Sequence, residues 1–180
     1  MALRALDGGR RAGARERAPV TAPPTIAPVP AAPDRPRWSV MIPTWNCARH
    51  LRRTRASVLA QDPGPARMQI EVVDDCSTAD DPADVVAELG RGRVGFFRKE
   101  RNEGPTPTFN VCLERARGEL VHLLHGDDYV LPGFYATLAT AAERHPDGDF
   151  FAVRACVVDE HDGLETVSTR VPSLEHGGRD

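Results

Sequence analysis

The stretch VHLLHGDDYVLP, Val121 to Pro132, carries an apolar run that breaks at His125-Gly126 and delivers two adjacent carboxylates, Asp127 and Asp128. In an α/β protein such a run is a buried parallel strand, and the residues just past its C-terminal end face the ligand crevice. Two carboxylates at that point suit a hard divalent cation, Mg²⁺ or Mn²⁺, bridging them to the phosphates of a nucleoside diphosphate. The plain alternative is a solvent-facing turn in which Asp128 or a neighbour caps the next helix.

Outward from this stretch, strands alternate with helices. Trp38 to Ile42 is β-prone and ends in the turn cluster Pro43-Thr44-Trp45-Asn46. Helical spacing from Ala48 places Leu51, Ala56, Val58 and Leu59 on one helix, stopped by Asp62-Pro63-Gly64-Pro65. Met68 to Val73 is a second strand, closed by Asp74-Asp75-Cys76-Ser77-Thr78; Pro82 opens a helix through Val85, Val86 and Leu89. Val94 to Phe97 is a third strand, and Asn102-Glu103-Gly104-Pro105 leads into a helix ended by Gly118. After the opening stretch, the fourth strand, Pro132 starts a helix running to Arg144, and Asp149 to Val158 is a fifth strand. Asp159 to Gly163 reads as a hairpin turn into Leu164–Val171. The pattern predicts an α/β fold with a mainly parallel, Rossmann-like sheet flanked by helices. The polar turn after the first strand and the acidic turns after the second and fourth then line one crevice.

Composition sets the limits. Residues 1–36 hold prolines at 19, 23, 24, 28, 30, 33 and 36, many alanines and few large apolar side chains, so they are expected to be disordered. Residues 37–166 form the domain, and 167–180 a polar tail. The net charge of −3 and the lack of a basic, aromatic-studded stripe argue against nucleic acid as a partner. No run is apolar and long enough to span a bilayer, and the N-terminus has no secretory apolar region. Cys47, Cys76, Cys112 and Cys156 include no CxxC pair, which suits a reducing compartment. A cytoplasmic protein follows, soluble or peripheral at the inner face of the membrane.

Other residues carry alternatives that the sequence leaves open. Asp74 and Asp75 end an apolar strand, where a carboxylate accepts from a base N–H or a ribose hydroxyl; the other reading is an Asx-turn capped by Ser77 and Thr78. Trp45 either stacks on a base or packs in the core. His125 either touches a phosphate or is a surface residue. No GxGxxG, GxxxxGK[ST] or nucleophile elbow occurs, which counts against nicotinamide, P-loop and acyl-transfer chemistry.

Taken in order, WSVMIPTWN (38–46), SVLAQ (57–61), IEVVDDCST (70–78), RNEGPTPTFN (101–110), ARGELVHLL (116–124) and HGDDYVLP (125–132) resemble the inverting family 2 glycosyltransferases of GT-A fold. The resemblance implies attack of an acceptor hydroxyl on the anomeric carbon of a nucleotide-diphosphate sugar, with inversion and with Mg²⁺ or Mn²⁺ as cofactor. It implies a donor site of Pro43, Thr44, Trp45, Asn46, Asp74, Asp75, Asn102, Gly104 and Asp127. Asp75 would meet a uracil-type base, Asp128 would ligate the metal with Asp127 beside it, and a UDP-sugar is the donor expected. The acceptor would be a glycan, a lipid or a small molecule.

Two departures from the family pattern stand out: Gly126 occupies a position that is often a third aspartate, and Phe109 one that is often arginine. On the resemblance, the family's C-terminal acceptor half is expected to lack a counterpart in this sequence, and no late acid (Glu160, Asp162, Glu165, Glu175) matches its catalytic base, which stays unknown. The alternative to an enzyme is therefore a non-catalytic donor-binding remnant, or a subunit that borrows its acceptor half from a partner. A nucleotidyltransferase is a weaker third reading. Uncovered apolar positions such as Phe150-Phe151 further predict marginal stability or self-association.

Overall fold

A computed structural model describes residues 34–90, 92–159 and 163–168. The expectations for residues 1–33 and 169–180, and for Glu160, Asp162 and Glu175, lie outside the described residues. The elements are β1 (Trp38–Thr44), α1 (Ala48–Leu59), β2 (Met68–Asp74), α2 (Pro82–Gly90), β3 (Gly95–Arg98), α3 (Pro105–Arg115), β4 (Leu120–Leu123), α4 (Phe134–Arg144), β5 (Cys156–Val158) and β6 (Leu164–Val167).

The first four strands form one parallel sheet in the order β3-β2-β1-β4. β1 and β2 are buried along their whole length, so both of their faces must be covered. On one face Val40, Ile42, Ile70 and Val72 pack with Leu51 and Val58 of α1, Val85 and Val86 of α2 and Tyr135 of α4. On the other face Met41 and Val73 meet Cys112 and Ala116 at α3. This alternation is the strand period of two, read on a sheet that is covered twice.

A polar ladder seals the α3 side. Ser39 Oγ donates to Gln69 Oε1 (2.6 Å) and accepts from the Gly118 N–H (2.7 Å), while Arg115 Nε reaches Glu71 Oε1 (2.6 Å). These bonds satisfy polar side chains that would be costly to bury unpaired. At the N-terminal end Arg35 donates to the carbonyls of Arg117 and Gly118, so ordered contacts begin before Arg37.

The strand order places a switch point between β1 and β4. The chain winds from β1 to β2 to β3 on one side, then crosses back through α3 to pair β4 with the other edge of β1. The turns leaving the C-terminal ends of these two strands therefore diverge, and the gap between them is where ligands lie in open α/β sheets.

Two expectations need correction. Asp149 to Val158 does not add a fifth strand to the sheet. Only Cys156–Val158 is strand, and it pairs antiparallel with β6 in a separate two-stranded sheet. The turn that closes this hairpin is held locally, by Asp159 N–H to Gly163 O (2.9 Å) and Gly163 N–H to Asp159 Oδ1 (2.7 Å). A short local closure costs less chain entropy than docking on the distant edge of β4. Phe150 is 66% exposed and Leu164 63%. The last long helix also starts later than Pro132, at Phe134, with Gly133 as its N-cap. No described helix is long and apolar enough to cross a membrane.

Candidate functional site

A cavity of about 340 Å³ opens at the switch point. The end of β1 and the turn after it supply Pro43, Thr44, Trp45 and Cys47, and the turn after β2 supplies Asp75. The loop into α3 adds Asn102, Gly104 and Pro105, α3 itself adds Thr108 and Phe109, and the β4 turn adds His125, Gly126 and Asp127. Trp45 is 55% exposed, so it belongs to the rim and not to the core.

Asp75 is the most constrained of these groups. It is 3% exposed, and its carboxylate takes hydrogen bonds from Lys99 Nζ (Oδ1, 2.7 Å), Glu103 N–H (Oδ1, 3.0 Å) and Gly104 N–H (Oδ2, 2.8 Å). Burial alone would raise its pKa; the Lys99 ammonium and the two backbone N–H groups outweigh burial and hold it below the usual carboxylate range. Asn102 Nδ2 donates to the Asp75 carbonyl (3.2 Å), so the loop is wrapped on this residue from both sides.

The acidic turn is held from α1. Thr54 Oγ1 donates to Gly126 O (2.9 Å), Ser57 Oγ accepts from Val130 N–H (3.1 Å), and Gln61 Nε2 reaches Leu131 O (3.1 Å). Asp127 and Asp128 are exposed, and His125 stands with them: one ligand atom from each lies within 4.8 Å of the others. Two carboxylates and an imidazole within that span fit a six-coordinate hard cation that keeps other positions for phosphate oxygen or water. His125 also stacks against Phe109, ring centroids 5.2 Å apart.

Three residues expected at the site, Asp74, Asn46 and Asp128, do not line the cavity. Asp74 is fully buried; it accepts from Ser77 N–H and Oγ and from Arg98 Nε (2.6 Å). Its role is the Asx-type turn, because no oxygen is left facing the crevice. Asn46, at φ 50°, accepts from the Thr78 and Ala79 N–H groups (2.9 Å each) and ties the turns after β1 and β2 together. A short polar side chain tolerates that left-handed backbone and can bridge both turns. Asp128 lies beside the cavity, in a groove it shares with Asp127 and Tyr129. Sequence reasoning missed Lys99, Thr108 and Cys47. For Lys99 a signal existed: a buried carboxylate needs a cation, and Lys99 follows the strand parallel to the one that delivers Asp75.

The model of the family described as glycosyl transferase family 2 matches residues 39–174. The chain belongs to glycosyl transferase family 2. Among curated members, an uncharacterised protein of Mycobacterium tuberculosis is 38% identical over 128 residues, 71% of this chain and 39% of that protein. The poly(ribitol-phosphate) β-N-acetylglucosaminyltransferase TarS of Staphylococcus aureus is 33% identical over 97 residues, 52% of this chain and 17% of TarS. Among solved structures of the family, TarS 1–349 in complex with UDP-GlcNAc superposes with TM-score 0.54 at 31% identity, covering 61% of this chain and 32% of that one. A Pyrobaculum calidifontis mannosyltransferase in complex with GDP-Man and Mn²⁺ gives TM-score 0.54 at 26% identity, covering 76% and 40%. The chain thus spans well under half the length of each of these relatives, and the part it spans has the GT-A architecture.

Proposed function

We propose that this chain binds a nucleotide-diphosphate sugar in the switch-point cavity and supplies the donor half of a family 2 glycosyl transfer. The single observation that carries this reading is convergence: four turns far apart in sequence bring Trp45, Asp75, Gly104 and Asp127 to one cavity at the C-terminal ends of the strands. The relatives described with UDP-GlcNAc and with GDP-Man support the ligand class.

In this reading the base enters beside Trp45 and Pro43 and meets Asp75, and the diphosphate runs toward Asp127. Asp127 and Asp128, with His125, would hold Mg²⁺ or Mn²⁺, which when bound neutralises the diphosphate as leaving group. Phe109 holds the imidazole of His125 in place, where the family often uses arginine. The acceptor hydroxyl attacks the anomeric carbon and inverts it. Asp75 is used for the base in this reading, and Asp127 and Asp128 for the cation. A non-catalytic donor-binding module, or a subunit that takes its catalytic carboxylate from a partner, is the second reading.

The test is calorimetric titration with UDP, GDP and dTDP, with and without Mn²⁺, on the wild type and Asp128→Ala. Mn²⁺-dependent binding of at least one nucleotide, lost in Asp128→Ala with an unchanged melting temperature, is the expected result. Failure of all three to bind would sink the proposal.

A further inference from the structure

Lys99 is a buried cation that contacts the cavity residue Asp75 and does not itself line the cavity. It is 7% exposed, and its three ammonium protons have three acceptors: Asp75 Oδ1 (2.7 Å), Glu103 Oε2 (3.0 Å) and Thr108 Oγ1 (3.1 Å). With every donor used, Lys99 can act on a ligand only through its neighbours.

The same accounting applied to Asp75 leaves one position open. A carboxylate oxygen accepts about two hydrogen bonds. Oδ1 takes Lys99 and the Glu103 N–H, whereas Oδ2 takes only the Gly104 N–H. The Thr108 hydroxyl is within reach of both Gly104 O (2.8 Å) and the Asp75 carboxylate, and it has a single proton to give. Asp75 lines the cavity, and Oδ2, which has one backbone donor against the two donors on Oδ1, is the oxygen with room to accept from a ligand.

We infer that Lys99 is the positioning residue for base selection: by clamping Oδ1 it presents Oδ2 as a fixed anionic acceptor, so that the site takes bases with a ring N–H and rejects bases with a ring-nitrogen lone pair. Uracil, thymine and guanine offer such an N–H, and cytosine offers a lone pair at the same ring position as the uracil N–H. A carboxylate facing a lone pair repels it, and an acceptor left unpaired in a buried site is costly. The Lys99 ammonium also keeps Asp75 ionised: its own pKa is raised, burial pulling it down but Asp75 and Glu103 pulling it further up. Without that charge, burial would favour a protonated Asp75, which can donate as well as accept.

This inference rests on the donor-site reading above, and UDP against CDP separates the two, because these ligands share ribose and diphosphate. Titration of both in the presence of Mn²⁺, on wild type, Lys99→Met and Lys99→Arg, is the experiment. Wild type is expected to prefer UDP by about 10-fold or more. Lys99→Met is expected to bring the UDP-to-CDP ratio to within about 3-fold of unity, and Lys99→Arg to restore part of it. A purely structural role would weaken both ligands together and leave the ratio alone, so an unchanged ratio in Lys99→Met overturns the inference while leaving the donor site intact. A wild type that binds neither ligand overturns the donor-site reading itself. If Lys99→Met does not fold, Lys99→Gln, which keeps a neutral donor toward Asp75, carries the same ratio test.

Discussion

Gly126 shows why a single residue can depart from its family without breaking the site. A Cβ at this position would sit 2.9 Å from Cys47 Sγ, 2.9 Å from Thr44 Oγ1 and 3.1 Å from Thr44 Cβ. The third aspartate of the family pattern therefore has no room, because Cys47 and Thr44, 2.8 Å apart, already fill its place. Burial pushes the Cys47 thiol pKa up, so the sulfur stays a neutral packing group. Gly126→Asp should accordingly destabilise the protein by about 1–3 kcal/mol and leave Mn²⁺ affinity no better. Urea unfolding with a parallel Mn²⁺ titration checks both; a variant of unchanged stability that binds Mn²⁺ more tightly would show that the turn has space the geometry denies. Adding Cys47→Ala should recover part of the loss, since the two side chains compete for one volume.

At the scale of elements, the strands and helices up to α4 were legible because their apolar periods match the burial they receive. Val40, Ile42, Ile70 and Val72 alternate as a doubly covered sheet demands. The convergence of the strand-end turns was legible for the same reason, since parallel strands put all such turns at one end. Asp75 and Asp127 could therefore be referred to one crevice from sequence, but whether Trp45 is rim or core, and which way Asp74 and Asn46 turn, could not. Adjacent acids on a strand end point to opposite sides, and only the register shows which one meets Arg98 and which the cavity. The hairpin from Asp159 to Gly163 was legible, but the extent of the strand before it and its place outside the main sheet were not: an apolar run states that a segment is β-prone, not which partner it will find.

The link from α3 to β4 was visible only as a stop signal, yet it passes so close to β1 that no side chain fits at Gly118. A Cβ on Gly118 would lie 2.5 Å from Ser39 N and Trp38 C, which are backbone atoms of β1 and cannot move aside. Gly118→Ala should cost about 3 kcal/mol or more, or abolish folding. Thermal unfolding against Gly64→Ala, where the added Cβ would meet nothing within 4 Å, gives the comparison. A loss at Gly118 no larger than at Gly64, where only the left-handed backbone at φ +105° opposes a side chain, would show that the approach of β4 to β1 leaves more room than the geometry gives.

For the whole molecule the decisive quantity is how stability responds to acid, because His122 sits where β4, α4 and the β5–β6 hairpin meet. Its ring packs on Phe134 (centroids 4.9 Å apart), and its Nδ1 lies 3.2 Å from the Tyr135 hydroxyl. Burial, with a smaller contribution from His125, lowers its pKa to about 4. Burial pushes the Tyr135 hydroxyl well above its usual pKa, so it stays a neutral partner throughout. Above pH 6.5 neither the folded nor the unfolded chain protonates this histidine, and it has no effect on stability. As pH falls below 6.5 the unfolded chain takes up the proton and the folded one does not, so stability declines until the folded ring titrates near pH 4. The whole loss is at most about 3 kcal/mol. The carboxylates of Asp62, Asp75 and Asp81, all held below their usual range, add their own loss only at lower pH, as they titrate. Urea midpoints at half-unit steps from pH 7 to pH 4.5 should fall steadily in the wild type and remain nearly flat in His122→Gln, which keeps a hydrogen bond to Tyr135 but cannot titrate. Parallel slopes in the two proteins would mean that acid acts on this fold through groups other than the buried ring.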